Sequence, residues 1–171
     1  MNSRYERRHT ASGPDCIVGV MTSSRADVSA LAPEVNAALA ALNAAAHRNA
    51  ADVGLSVLVI ELVQLRASQI NGCSFCLRVH TRKAIAAGES SDRLGVLAAW
   101  RESSYFDGPE RAALDLVEAV TLIADGRVPD DVYARVAAEL TEQQIAAVTW
   151  LSIAINSYNR SIIASRLPVG P

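Results

Sequence analysis

From Pro33 onward, apolar residues recur at the three-and-four spacing of helices, with polar residues between them. Pro33-Glu34 suits a first turn, and Val35, Leu39 and Leu42 follow at i, i+4 and i+7. That pattern fades around Asn49, before Asp52-Val53-Gly54. A second helix is predicted from near Ser56 to Ile70. Its stretch Val57–Leu65 is apolar nearly all round, as a buried helix is, and Glu61 interrupts it. The run could pass for a strand, but its length and its continuation through Arg66-Ala67-Ser68-Gln69 favour helix. Asn71-Gly72 is a helix-end signal. A third helix then runs from about Cys73 to Ala86-Ala87-Gly88. Ser90 or Ser91 caps a fourth that carries Leu94, Leu97, Ala98 and Trp100. Asp107-Gly108-Pro109-Glu110 opens a fifth, with Pro109 at its first position, ending before Gly126. Pro129 opens a sixth, and Thr141-Glu142-Gln143-Gln144 is a capping box for a long last helix to about Arg166. No alternating strand pattern and no internal repeat occurs. The expectation is an all-α, single-domain bundle of about six or seven helices, with Trp100 and Trp150 as core anchors.

Residues 1–26 are polar, contain Gly13-Pro14 and show no period. They read as a disordered extension ahead of a helical domain over 27–171. Met21 opens a more ordinary-looking start, so residues 1–20 are a candidate over-extension of the reading frame, which N-terminal sequencing of native protein would decide.

Composition narrows the function classes. The chain has 171 residues, 18 Asp+Glu against 16 Lys+Arg, and a formal net charge of −2. Half the residues are hydrophobic and 20% are charged, which excludes wholesale disorder. Near-neutral charge argues against a broad nucleic-acid footprint. The longest apolar runs, Val57–Leu65 and Ile145–Ile155, fall short of the roughly 18 residues of a membrane span. Arg4, Arg7 and Arg8 are followed by too short an apolar run, Cys16–Met21, for a signal peptide. A cytoplasmic protein without membrane or nucleic-acid partners is expected. Three cysteines cannot frame a secreted mini-protein, and two of them sit three residues apart, which points to redox or metal chemistry.

Those two, Cys73 and Cys76, stand with His80 at relative positions 0, 3 and 7, so all three share one helical face. Both thiols fall in the first turn, where unpaired N–H groups and the positive dipole end favour a thiolate. Glu61 lies eleven residues before Gly72, and His80 eight after it. If the two helices fold back as a hairpin, these are roughly 16 and 12 Å from the turn at ~1.5 Å per residue, within one turn of the same height. A relay follows, in which the carboxylate orients the imidazole and the imidazole takes the proton of Cys76. Other readings compete. Arg66 or Arg78 could satisfy Glu61, since a carboxylate in an apolar helix needs a partner. His80 could cap or pack. Zinc could use Cys73, Cys76 and His80, but a structural site needs a fourth ligand, and only His9, His47 and Cys16 remain. A thioredoxin-like reading lacks its strands. The segment Asn156-Ser157-Tyr158-Asn159-Arg160 is unusually polar for a long helix and suits an interface, a pocket wall or a solvated face.

The spacing Glu61, eleven residues, Cys73-x-x-Cys76-x-x-x-His80 resembles the signature of the alkylhydroperoxidase D-like proteins of the carboxymuconolactone decarboxylase superfamily. Leu65–Cys73, His80-Thr81, Ala86–Glu89, Ala99–Glu102 and Asn156–Arg160 resemble its single-domain members, and the likeness covers about Leu31 to Arg166. The resemblance implies an all-helical fold assembled as homo-trimers or homo-hexamers. It implies thiol-dependent reduction of organic hydroperoxides in antioxidant defence, with no cofactor or metal. Cys76 would attack the peroxide and become a sulfenic acid. Cys73 would resolve it to a disulfide, and a thiol or lipoyl-type reductant protein would restore the pair. Glu61 and His80 would be the proton relay. The best-studied members carry a His between the cysteines where this chain has Phe75. Dipole logic alone favours Cys73 as the acidic thiol, and proximity to His80 favours Cys76; the family pattern selects Cys76. Two alternatives stand beside this reading: a non-catalytic dithiol redox sensor, and a carboxymuconolactone decarboxylase-like lyase, whose reaction needs no cysteine pair.

Overall fold

The computed structural model describes residues 25–170, and these are helical throughout, with no strand among them. Of the extension expected over 1–26, all but Arg25 and Ala26 lies outside the described residues, as do Cys16 and His9. The elements are α1 (Val28–Leu31), α2 (Pro33–Asp52), α3 (Val57–Asn71), α4 (Ser74–Ala86), α5 (Ser91–Val96), a 3₁₀ segment (Leu97–Glu102), α6 (Gly108–Thr121), α7 (Ile123–Gly126), α8 (Asp130–Glu139) and α9 (Glu142–Ser165). None is long and apolar enough to cross a membrane.

The caps explain most boundaries. The Ser56 side chain accepts from Val59 N at the start of α3. Asp107 and Glu110 close a capping box on α6, and Thr141 and Gln144 close another on α9. The all-α expectation of about six or seven helices holds, and the structure adds detail in three places. Asp27 caps a short α1, accepting from Ser29 N and Ala30 N, in a segment whose sequence shows no period. The expected fourth helix tightens into 3₁₀ winding after Val96. Its three-residue repeat buries both Leu97 and Trp100, and the winding kinks at Ala99, which leaves helical geometry with φ −117° and ψ 33°. The expected fifth helix breaks at Leu122 and resumes for one turn as α7.

The core forms around α3, which packs on α4, α6 and α9, while α9 also packs on α2 and α6. The lack of a polar face on α3 has its reason here: Ile60 through Leu65 are all buried, Glu61 and Gln64 included. Trp100 is a core anchor as expected, with its Nε1 donating to Glu118 at 2.8 Å. Trp150 is not. It is 50% exposed, because Val148 and Leu151 take the inward positions of α9 and turn it away from them.

Candidate active site

The turn between α3 and α4 places the two cysteines. Gly72 ends α3 with φ 70°, a left-handed backbone that favours glycine. Cys73 N then donates to Ser68 O at 3.0 Å, tying the reversal to the last turn of α3. Cys73 is the N-cap of α4 and its sulfur accepts from Cys76 N at 3.4 Å. The two cysteines, with Cα atoms 5.4 Å apart, lie at disulfide distance. Both are buried, at 1% and 3% exposure.

Behind them sits the acid–imidazole pair expected from the hairpin geometry. His80 Nδ1 donates to Glu61 Oε2 at 2.7 Å, and both residues are buried. A carboxylate only accepts, so it fixes the proton on Nδ1 and leaves Nε2 as the basic nitrogen. The rival partners for Glu61 are engaged elsewhere: Arg66 pairs with Glu118 at 2.6 Å and Arg78 donates to the Gly170 carbonyl. Among the described residues no three His, Cys, Asp or Glu side chains converge as a metal site.

The two cysteines line different spaces. Cys76 and His80 line a cavity of ≈ 160 Å³ whose other walls include Phe75, Val79, Tyr158, Ile155 and Ile162, with Asn43, Gln64 and Lys83 adding polarity. Cys73 lines a separate cleft with Gly72, Ser74, Ile163, Arg166 and Leu167; Ile162 belongs to both. Beside the first cavity His47 accepts or donates at 3.0 Å to the Gln64 amide. Burial pushes the His47 imidazole below its ordinary range, against the opposing hydrogen bond from Gln64 and the charge of Glu61.

The polar stretch of α9 holds the turn in place. Asn71 Nδ2 donates at 2.8 Å to Oδ1 of both Asn156 and Asn159, and Asn159 Nδ2 donates at 3.1 Å to Ser68 Oγ. Asn156 reaches Thr121 Oγ1 at 3.0 Å. This buried amide cluster clamps the end of α3, and so the Gly72 turn and the Cys73 cap, onto α9. Of the readings open for Asn156–Arg160, the structure makes Asn156 and Asn159 buried clamps and Tyr158 a cavity wall. The sequence reading missed Gln64 and Lys83. The signal for both was spacing, since Gln64 stands three residues after Glu61 and Lys83 three after His80, on the same faces.

Comparison with known proteins agrees with this geometry. The carboxymuconolactone decarboxylase family model matches residues 33–119. The uncharacterized protein YdfG of Bacillus subtilis is 43% identical over 104 residues, covering 61% of this chain and 71% of that protein. The uncharacterized protein YnjA of Escherichia coli is 34% identical over 97 residues, covering 57% of this chain and 53% of YnjA, so the match spans about half of that relative's length. The crystal structure of ATU0492 from Agrobacterium tumefaciens, a protein of unknown function named there as a candidate antioxidant defence protein AhpD, superposes with a TM-score of 0.76 at 34% identity, over 85% of this chain and 99% of that one.

Proposed function

The chain belongs to the carboxymuconolactone decarboxylase family, and from that premise we propose that it is a thiol-dependent peroxidase of antioxidant defence that reduces organic hydroperoxides through Cys73 and Cys76. The observation that carries this reading is the buried Glu61–His80 hydrogen bond set beside a cysteine pair at disulfide distance. The likeness to the candidate antioxidant defence protein supports it.

In the reduced state, His80 Nε2 takes the Cys76 proton, while Glu61 holds the ring and stabilises the imidazolium. The Cys76 thiolate attacks the distal peroxide oxygen. The O–O bond breaks, the alkoxide leaves with a proton from His80, and Cys76 becomes a sulfenic acid. Cys73 attacks that sulfur, water departs, and the Cys73–Cys76 disulfide forms. A dithiol then reduces it by exchange. The sum is one hydroperoxide and two thiols giving an alcohol, water and a disulfide. Cys76 receives the attacking role because it shares the cavity with His80, and Cys73 faces the second cleft, where a reductant thiol approaches without crossing the peroxide cavity. Phe75 in place of the family's His makes the mouth of that cavity more apolar and suits organic peroxides over hydrogen peroxide.

Within this proposal the catalytic unit is the helical domain from residue 27 onward, working in a reducing compartment such as the cytoplasm. It assembles as a homo-trimer or homo-hexamer, with a thiol or lipoyl-type protein as electron donor. The test is steady-state consumption of cumene hydroperoxide with a supplied dithiol, joined to thiol counting before and after one equivalent of peroxide. Turnover with loss of two thiols supports the peroxidase. Stoichiometric oxidation without turnover would make the pair a redox sensor. No thiol loss at all would leave the family's lyase chemistry as the reading to pursue.

A further inference from the structure

We propose that the cavity beside Cys76 selects hydroperoxides that carry a carboxylate, and that Lys83 is the residue that reads this group; the inference rests on the peroxidase reading and names its substrate class. Cys76, Val79, His80 and Lys83 stand at positions 0, 3, 4 and 7 of α4, and all four line the same cavity. They form one stripe along the helix, with the reacting sulfur at one end and a cation at the other. Seven residues separate the two Cα atoms by about 10 Å along the axis. Helical side chains lean toward the N-terminus, so the lysine stem runs back toward the sulfur and shortens that gap.

The rest of the lining is mixed: Phe75, Val79, Ile155 and Ile162 are apolar, while Asn43, Gln64, His80 and Tyr158 are polar. The volume of ≈ 160 Å³ is below the ~300–1,000 Å³ of drug-sized ligand sites, which favours a small substrate. The charge of Lys83 is uncommitted. Lys83 is exposed, and among the described residues no carboxylate pairs with it. Glu61, behind the cavity, is taken by His80. A neutral peroxide would leave this ammonium unused at the cavity wall. A carboxylate placed about a helical turn or two from the peroxide would meet it in a charge-assisted hydrogen bond, with the Asn43 amide also on the wall. The carboxylate is a handle and passes through the reaction unchanged.

The experiment compares single-turnover oxidation of the reduced protein by cumene hydroperoxide, its para-carboxylic acid and the methyl ester of that acid. The three share one reacting centre and differ in charge and para substituent. The wild-type protein is expected to react about ten-fold faster with the acid than with the ester at low salt, and less so as salt rises. Lys83→Gln brings the acid-to-ester ratio toward one, Lys83→Glu inverts it, and Lys83→Arg keeps it. A wild-type ratio near one, or a ratio that Lys83→Gln leaves where it was, overturns the inference while the peroxidase reading stands. Failure of all three peroxides to oxidise the wild-type thiols sinks both.

Discussion

His80 Nδ1 and Glu61 Oε2 meet at 2.7 Å across 19 residues of chain, each residue almost wholly shielded from water. Leaving either group unpaired there would cost several kcal/mol, so the pair is self-enforcing. Fixing the ring by Nδ1 also decides which nitrogen is basic. A purely structural pair could sit anywhere in the core, whereas here the His80 member lines the same cavity as Cys76.

Glu61→Gln keeps the shape and removes the charge that stabilises an imidazolium. The rate constant for oxidation of the reduced protein by cumene hydroperoxide should fall about 100-fold, in the usual range for acid–base assistance. His80→Gln should fall as far, and the double variant no further, because the two act as one unit. Stopped-flow oxidation read by thiol loss measures all three. A product of the single losses in the double variant would mean that they act separately.

Cys76→Ser should abolish peroxide consumption. Cys73→Ser should still react once and stop at a sulfenic acid on Cys76, which dimedone captures as an adduct visible by intact mass. Reversal of the two outcomes would hand the attacking role to Cys73, the sulfur that the helix dipole alone favours.

The legible part of this molecule was the part governed by local rules. Pro33, Ser56, Gly72, Asp107 and Thr141 sit at the helix boundaries where their chemistry places them, and the Glu61–His80 meeting followed from helix rise and one turn. What stayed hidden depended on distant partners. The 3₁₀ tightening at Leu97–Glu102 comes from burying Trp100 under Glu118 of α6, and no pattern within the segment encodes it. Trp150 reads as a core residue by type, yet the phase of α9 is set by Val148 and Leu151. The asparagines of α9 read equally as an interface, a pocket wall or a solvated face until Asn71 arrives from α3 to share them.

Glu118 ties three segments together, accepting from Trp100 Nε1, Arg66 and Arg101. Burial pushes its carboxyl up, but those hydrogen bonds outweigh that and hold it below the usual carboxylate value. The unfolded chain therefore takes up this proton first. The stabilisation is complete above about pH 5 and is lost as the pH falls below the ordinary glutamate range and through the lowered value of the folded carboxyl. Glu118→Gln should cost roughly 1–3 kcal/mol at neutral pH, with a smaller penalty at pH 3, by urea unfolding at both pH values. An equal penalty at both would assign the loss to packing.

Trp150 stands exposed beside a groove formed with Leu42, Ala45, Ala46, Asn49 and Ala146 of α2 and α9. Exposed apolar surface of this kind is suited to a contact between copies of the chain, in keeping with the proposed homo-oligomer. Trp150→Lys should shift the light-scattering mass toward the monomer while far-UV circular dichroism keeps its helical signature. An unchanged mass would move the contact elsewhere.

The Asn71 clamp ties stability to the redox step. Asn71→Ala leaves the Oδ1 atoms of Asn156 and Asn159 without their shared donor in a buried place, at a cost of roughly 1–3 kcal/mol. Arg160 still reaches Asn156 Oδ1 at 2.8 Å and Asn159 still holds Ser68, so α9 itself should stay helical. What loosens is the end of α3, and with it the Gly72 turn that seats Cys73 over the first turn of α4. In the proposed mechanism attack on peroxide uses Cys76, His80 and Glu61, none of which shares a hydrogen bond with the clamp, so that rate should hold within a few-fold. Closure of the disulfide depends on where Cys73 sits, so it should slow and the sulfenic acid at Cys76 should accumulate. Rapid-quench trapping with dimedone separates the two steps. Equal slowing of both would show that the clamp supports the whole cavity and gives the turn no special role.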